Sequence, residues 1–342
     1  MSHSGCCCHE TEEEPDSLQD PAEISHFNEV VASFRSYADD AQWGSADGAT
    51  QSALLVNAKF LSEIVADAES LFGEKKSSSD SSAAPTSERN VSKVRSTLKQ
   101  FVREWAAEGE GERKVCFDPL IAGLKKWSSS SGKFILCPGS GLGRLPYELC
   151  KSGFDCQGNE FSYHMILGSH WVLNGAAPRV IHPYVSSSAQ TRLRPISVPD
   201  EFPQKTIGQM SMCAGEFVEV YEKQGFGFAD GIATCFFLDT AKNILLYIRT
   251  IAAAVKAGGV WVNFGPLLFH YAEQNDEVSL ELSWSEIRVL ISDYFDFKEE
   301  RDGLESVYAS NAEGVSETVF NCVFFAAVRN GRDVEGYSNP VF

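Results

Sequence analysis

Residues 133–161 read KFILCPGSGLGRLPYELCKSGFDCQGNEF. Lys133 to Cys137 is a short apolar run ended by Pro138, the pattern of a buried strand. Gly139, Gly141 and Gly143 follow at alternate positions. Arg144 to Lys151 then reads as a helix closed by Gly153, and a second strand runs into Gly158-Asn159-Glu160. The order is strand, glycine loop, helix, strand, with an acid at the tip. Glycines let a ligand approach the backbone, and a helix N-terminus offers free N–H groups. A carboxylate about 20 residues downstream suits both hydroxyls of a ribose. This combination predicts a nucleotide-type cofactor, against the plainer reading of a tight turn with no ligand.

The loop spacing narrows the class. A dinucleotide fingerprint, G-x-G-x-x-G, asks for glycine where Arg144 stands, which weighs against a dehydrogenase. The spacing G-x-G-x-G is instead usual in S-adenosylmethionine-dependent methyltransferases.

Downstream, the alternation continues. GQMSMCAGEFVEVY is a strand running into Gly215-Glu216-Phe217, and GIATCFFLDT a strand ending in Asp239. NILLYIRTIAAAVKAG is a helix, and GGVWVNFGPLLFHY a strand leading to His270. A helix over Trp284–Tyr294, a strand near Phe295–Glu300 and a strand pair around Val307 and Val319–Val328 complete the set. The expected fold is α/β: a doubly wound, Rossmann-like sheet, mostly parallel with a closing antiparallel strand. Right-handed crossovers would gather Gly139, Glu160, Glu216, Asp239 and His270 at one crevice.

Upstream, residues 1–24 are polar and acidic and read as a disordered tail. Its Cys6-Cys7-Cys8-His9 lacks a second ligand pair at zinc spacing, so no metal is expected. Residues 25–127 read as a helical region, with a mobile serine-rich insertion at 74–88. Within it, KQFVREW places Gln100 and Arg103 one helical turn apart, a spacing equally common on solvated surfaces. Residues 128–330 form the α/β domain. Residues 175–206 read as a long Pro-rich loop whose Tyr184, Arg192 and Arg194 could cover a substrate, and 331–342 as a C-terminal tail. His164 and His170, six residues apart, read as core or surface histidines rather than ligands. Asp239 could equally cap the helix that follows it.

The chain has 342 residues, 43% hydrophobic, and a formal charge of −18 from 29 Lys+Arg against 47 Asp+Glu. An acidic protein without a basic stripe is a poor match for nucleic acid. No apolar run is long enough to span a membrane, and no secretory signal is legible. The ten cysteines lie mainly in core-like segments, the usage of a reducing compartment, so the cytosol, with the nucleus as a second location, is expected. The N-terminal helices leave a homodimer open.

The segments KQFVREW, LCPGSGLGRLPYELCKSGFDCQGNEFSYHM, ATCFFLDTAKN and GGVWVNFGPLLFHY together resemble the carnosine N-methyltransferase family, over roughly Phe27 to Arg329. The resemblance implies transfer of a methyl group from S-adenosylmethionine to an imidazole nitrogen of carnosine, giving anserine, or of a related histidyl dipeptide. It implies that Gln100 and Arg103 reach the cofactor's methionine carboxylate. Gly139 would lie against the cofactor, Glu160 would hold its ribose, and Glu216 and Phe217 would flank the adenine. Many relatives carry Asp where Glu216 stands. Cys235 would lie near the cofactor. Asp239, His270 and Tyr308 match positions of the substrate site, Tyr308 where the sequence departs most from the family pattern. Methylation of histidine in a longer peptide or of another small amine, or cofactor binding without turnover, are the alternatives.

Overall fold

The structure, a computed structural model, describes residues 20–39, 47–72, 87–128, 133–175, 177–187, 191–203, 206–272 and 279–334. Its centre is a seven-stranded sheet in the order β5-β2-β1-β6-β7-β9-β8. These strands are β1 (Phe134–Pro138), β2 (Asp155–Glu160), β5 (Met210–Ala214), β6 (Ala229–Cys235), β7 (Val255–Gly265), β8 (Phe295–Val307) and β9 (Val319–Arg329). All run parallel except β9, which lies antiparallel between β7 and β8. From β1 the chain winds outward through β2 to β5, then returns to β6 on the other side of β1. Such a reversal opens a crevice beyond the carboxyl ends of the strands. The register brings those ends level, pairing Pro138 with Asn159, Glu160 with Ala214, and Cys235 with Phe264.

Helices cover both faces. One core lies between the sheet and α7 (Phe217–Glu222), α8 (Ile244–Ala254) and α9 (Trp284–Ser292). The other lies under α4 (Glu110–Trp127) and α5 (Arg144–Lys151). A third core joins α1 (Pro21–Arg35), α2 (Gly48–Phe72), α3 (Glu88–Trp105) and α6 (Tyr163–Leu173), and it includes Leu142 of the glycine loop. The amphipathic N-terminal helices therefore bury their apolar faces within the chain, against the glycine loop.

Several sequence-based boundaries shift. Helix α1 starts at Pro21, inside the stretch 1–24 read as tail, because Asp20 caps it by accepting the Ala22 N–H. Ser87 and Glu88, assigned to the serine-rich insertion 74–88, are the N-cap and first residue of α3. The Cys6–His9 motif and residues 74–86 lie outside the described residues. The stretch 175–206 is no structureless loop: β3 (Arg179–Ile181) and β4 (Ile196–Val198) form an antiparallel hairpin, with Ile181, Ile196 and Val198 buried in the third core. The strands expected near 295–300 and at Val307 are one strand, β8, interrupted by register shifts.

Candidate functional site

A cleft of about 940 Å³ opens at the carboxyl ends of the strands, and its walls include every residue that the family resemblance assigns to the site: Gln100, Arg103, Gly139, Glu160, Glu216, Phe217, Cys235, Asp239, His270 and Tyr308. Each arrives by a different element. Gln100 and Arg103 come from the C-terminal half of α3, both 5% exposed. Gly139 begins the loop after β1, Glu160 ends β2, and Glu216 and Phe217 open α7 after β5. Cys235 ends β6. Asp239 lies in a short 3₁₀ turn, Leu238–Thr240, beyond that strand rather than at its end. His270 follows β7 and Tyr308 follows β8.

The glycine loop is held by carboxylates on two sides. Glycines 139, 141 and 143 all have positive φ (+64°, +56° and +83°), which L side chains rarely adopt. Glu160 Oε2 accepts the Gly141 N–H at 2.8 Å, while its Oε1 accepts those of Phe161 and Ser162, each at 2.8 Å. From the opposite side Glu104 accepts the N–H groups of Leu142 at 3.2 Å and Arg144 at 3.0 Å. Three loop and helix donors that a phosphate would need are thus already satisfied by negative charge. The loop suits a nucleoside without phosphates, and a pyrophosphate would meet two carboxylates. Sequence reasoning missed Glu104. Gln100 to Trp105 are six consecutive buried residues, and no helical periodicity marks a carboxylate among them.

Arg144, where a dinucleotide-binding chain has glycine, is buried in a network. Its Nη1 donates to the Glu104 carbonyl oxygen (2.9 Å) and to Asp200 Oδ1 (2.7 Å), and its Nε to Glu148 (2.8 Å). The guanidinium lies 4.7 Å from the Trp105 ring centre, and Trp105 Nε1 donates to the Leu142 carbonyl at 3.0 Å. The loop therefore rests on α3 through its backbone and through Arg144.

Arg103 forms the floor beneath Tyr308. Its Nε pairs with Glu112 at 2.5 Å, and its guanidinium carbon lies 4.5 Å from the Tyr308 ring centre and 5.5 Å from that of Phe236. Burial pushes the Tyr308 hydroxyl up to about 12, with Arg103 opposing, so at neutral pH it stays protonated and can donate a hydrogen bond. The thiol of Cys116 is brought down to about 7 by a hydrogen bond from Cys235, with Arg103 adding to the effect against burial. Cys235 itself is pushed up. Glu216 caps α7, its Oε2 accepting the Glu219 N–H at 2.9 Å, and burial raises its carboxyl. Phe217 packs edge-on against Phe237 and Tyr247, building an aromatic wall suited to a flat base.

Asp239 is the most exacting residue of the cleft. It is 1% exposed; Oδ2 accepts the Leu268 N–H at 3.0 Å, and Oδ1 is buried without a protein partner among the described residues. Burial raises its carboxyl pKa, against the Leu268 N–H and His270. It does not cap the next helix, because Asn243 fills that role for α8. His270 is pinned at the same point: its backbone N–H and Nδ1 lie 2.9 Å and 3.1 Å from the Asp239 carbonyl oxygen. A carbonyl can only accept, so Nδ1 carries the proton of that contact.

Tyr184, Arg192 and Arg194 do not cover the cleft. The Tyr184 hydroxyl donates to the Ser310 carbonyl at 3.0 Å, Arg192 pairs with Asp47 and Arg194 with Glu313. Two of these contacts hold the segment after Tyr308. Two further histidines are structural: His164 is buried beside Ser33 and kept neutral by burial, near 3, and His170 meets Asp67 at 2.6 Å. Three non-glycine residues have positive φ among the described residues, namely Phe236, Phe269 and Ala309. They adjoin Cys235, His270 and Tyr308. Backbone strain of roughly 1–3 kcal/mol per residue is concentrated where site residues must be aimed.

A sheet of this winding, with a phosphate-excluding glycine loop, an acid at the tip of β2 and an aromatic wall, defines an S-adenosylmethionine-dependent methyltransferase. The sequence profile described as "Carnosine N-methyltransferase" matches residues 80–331. The carnosine N-methyltransferase of Rattus norvegicus is 36% identical over 288 residues, spanning 79% of this chain and 71% of that protein. That of Dictyostelium discoideum is 35% identical over 314 residues, with 81% and 65% covered. That of Schizosaccharomyces pombe is 41% identical over 202 residues, 54% of each. The chain belongs to the carnosine N-methyltransferase family.

Proposed function

We infer that this chain is a carnosine N-methyltransferase, methylating an imidazole nitrogen of carnosine to give anserine. The observation that carries the assignment of its site is the buried, unpartnered Oδ1 of Asp239 in the cleft. An orphaned buried acceptor costs about 1–3 kcal/mol, which a hydrogen-bonded ligand can recover. An imidazole N–H is a donor of the right kind, and a ring held by one nitrogen presents the other as a lone pair.

S-adenosylmethionine, when bound, supplies a methyl group on a sulfonium sulfur. Gln100 and Arg103 would hold its methionine end, Glu160 its ribose, and Phe217 and Glu216 its adenine. Asp239 selects the tautomer by accepting the N–H of one ring nitrogen at Oδ1, which aims the other nitrogen into the cleft. With a pKa near 6.5, the acceptor imidazole is largely neutral at pH 7, so orientation rather than deprotonation is the main task. Once the ring is methylated, the proton facing Asp239 becomes acidic, and Oδ1 is placed to take it. His270 braces the turn bearing Asp239, and Tyr308 supplies a hydroxyl donor at the mouth.

The test is transfer of labelled methyl from S-adenosylmethionine to carnosine, with Asp239→Asn and His270→Ala beside the parent. Anserine formed by the parent and reduced about 10²–10⁴-fold in Asp239→Asn is the expected result. No transfer to carnosine, with transfer to a histidine in a longer peptide, would overturn the acceptor. An Asp239→Asn variant as fast as the parent would overturn the site.

A further inference from the structure

Helix α5 begins after Gly143, which has no side chain to cap it. The cap comes from another element: the Glu104 carboxylate, contributed by α3, accepts the Leu142 and Arg144 N–H groups and, at 2.5 Å, Gln100 Nε2. Its Oε1 takes two of these bonds and its Oε2 one. An ionised carboxylate offers about four acceptor positions, so one stays open on Oε2. Glu104 is 2% exposed, yet it lines the cleft beside Gln100 and Arg103.

Negative charge therefore already occupies the place at a helix N-terminus where nucleotide-binding folds seat a phosphate. The ligand group that complements this spot is a cation. Gln100 and Arg103, on the same stretch of α3, are donors and suit an anion. Together they present two donors and one acceptor, the complement of an amino-acid zwitterion.

We propose that Glu104 receives the α-ammonium of the cofactor's methionine end, while Gln100 and Arg103 take its carboxylate. The proposal rests on the cleft being the S-adenosylmethionine site. Burial raises the carboxyl pKa of Glu104, and Arg103 with the Arg144, Gln100 and Leu142 donors works the other way, toward the ionised form that an ammonium needs. A residue that only capped α5 would act on folding and would not distinguish one ligand from another. An ammonium acceptor must.

S-adenosylhomocysteine and its deaminated analogue, which keeps the carboxylate and lacks only the α-amino group, separate the two. Both are titrated calorimetrically into the parent, Glu104→Gln and Glu104→Asp. The parent should prefer S-adenosylhomocysteine at least tenfold. Glu104→Gln, which also gives up one acceptor of the loop N–H groups, should bind both ligands more weakly and lose the preference, and Glu104→Asp should retain part of it. Equal binding of both ligands by the parent, or an undiminished preference in Glu104→Gln, overturns the proposal; so does loss of both ligands in proportion. Should Glu104→Gln not fold, an undiminished preference in Glu104→Asp has the same force. A parent that binds neither ligand fails at the cofactor site itself, a different outcome from the loss of preference alone.

Discussion

At the scale of single residues, Asp239 trades stability for chemistry. Its carboxyl pKa is raised in the folded chain because burial penalises the charge. The folded state thus holds the proton more tightly than the unfolded state, which binds it at the ordinary aspartate value. Stability from the protonated form is present at low pH and is lost as pH rises through the folded pKa. Asp239→Asn removes that penalty, so it should melt above the parent at pH 7.5, with the gap narrowing as pH falls toward 4. Thermal melts across that range check the sign, and a variant less stable than the parent at pH 7.5 would show that Oδ1 is not under strain. In the sequence the strand order brought Asp239 to the crevice, and the family pattern was needed to prefer a site role there over a helix cap. Glu104 was not legible at all. Its role depends on where α3 lies relative to a loop some 40 residues on, a tertiary relation that no local spacing encodes.

At the scale of elements, the link between the β3–β4 hairpin and α5 carries the glycine loop. Asp200, just past β4, accepts from Arg113 Nη2 at 2.6 Å and Arg144 Nη1 at 2.7 Å, and its own N–H donates to the Trp105 carbonyl at 2.7 Å. Arg113 and Arg144 are 6% and 4% exposed. Asp200→Ala takes the carboxylate from the buried Arg113 and leaves Arg144 with Glu148 as its near counter-charge, a loss of about 3–5 kcal/mol. The urea midpoint should fall accordingly, and S-adenosylhomocysteine should bind more weakly because Arg144 no longer holds the loop. A midpoint within error of the parent would show the network to be dispensable. The sheet strands and most helices could be read from the chain because each is a long apolar or amphipathic run. The hairpin could not, since strands of three residues show no alternation and the prolines around them resemble a loop.

At the scale of the whole molecule, the N-terminal helices are part of the enzyme rather than an appendage. Phe60, Phe101 and Trp171 meet edge to face, joining α2, α3 and α6, and Leu142 of the cofactor loop lies in the same core. A chain beginning at residue 128 lacks Gln100, Arg103 and Glu104 and exposes the apolar face of α6. It should show no cooperative melt and no stabilisation by S-adenosylhomocysteine, whereas the parent should melt higher with it, as any ligand of the native state requires. A truncated chain that melts cooperatively and binds the ligand would make the helical region a separate unit.

The position of β9 governs when the cleft can exist during synthesis. Strand β8 is joined to the rest of the sheet only through β9, which is later in the chain. Tyr308 lies between the two, and its neighbourhood is tied back to α4 by the Ala309 N–H to Glu112 and by the Cys116–Ser306 contact. These join residues nearly two hundred positions apart. A nascent chain that has emerged only as far as residue 318 can own the glycine loop and Glu160, yet the wall of the cleft at Tyr308 is unformed. Methyl-transfer competence therefore arrives in one late step, when β9 slides between its neighbours, and ribosome-bound intermediates should gain cofactor binding well before they gain turnover.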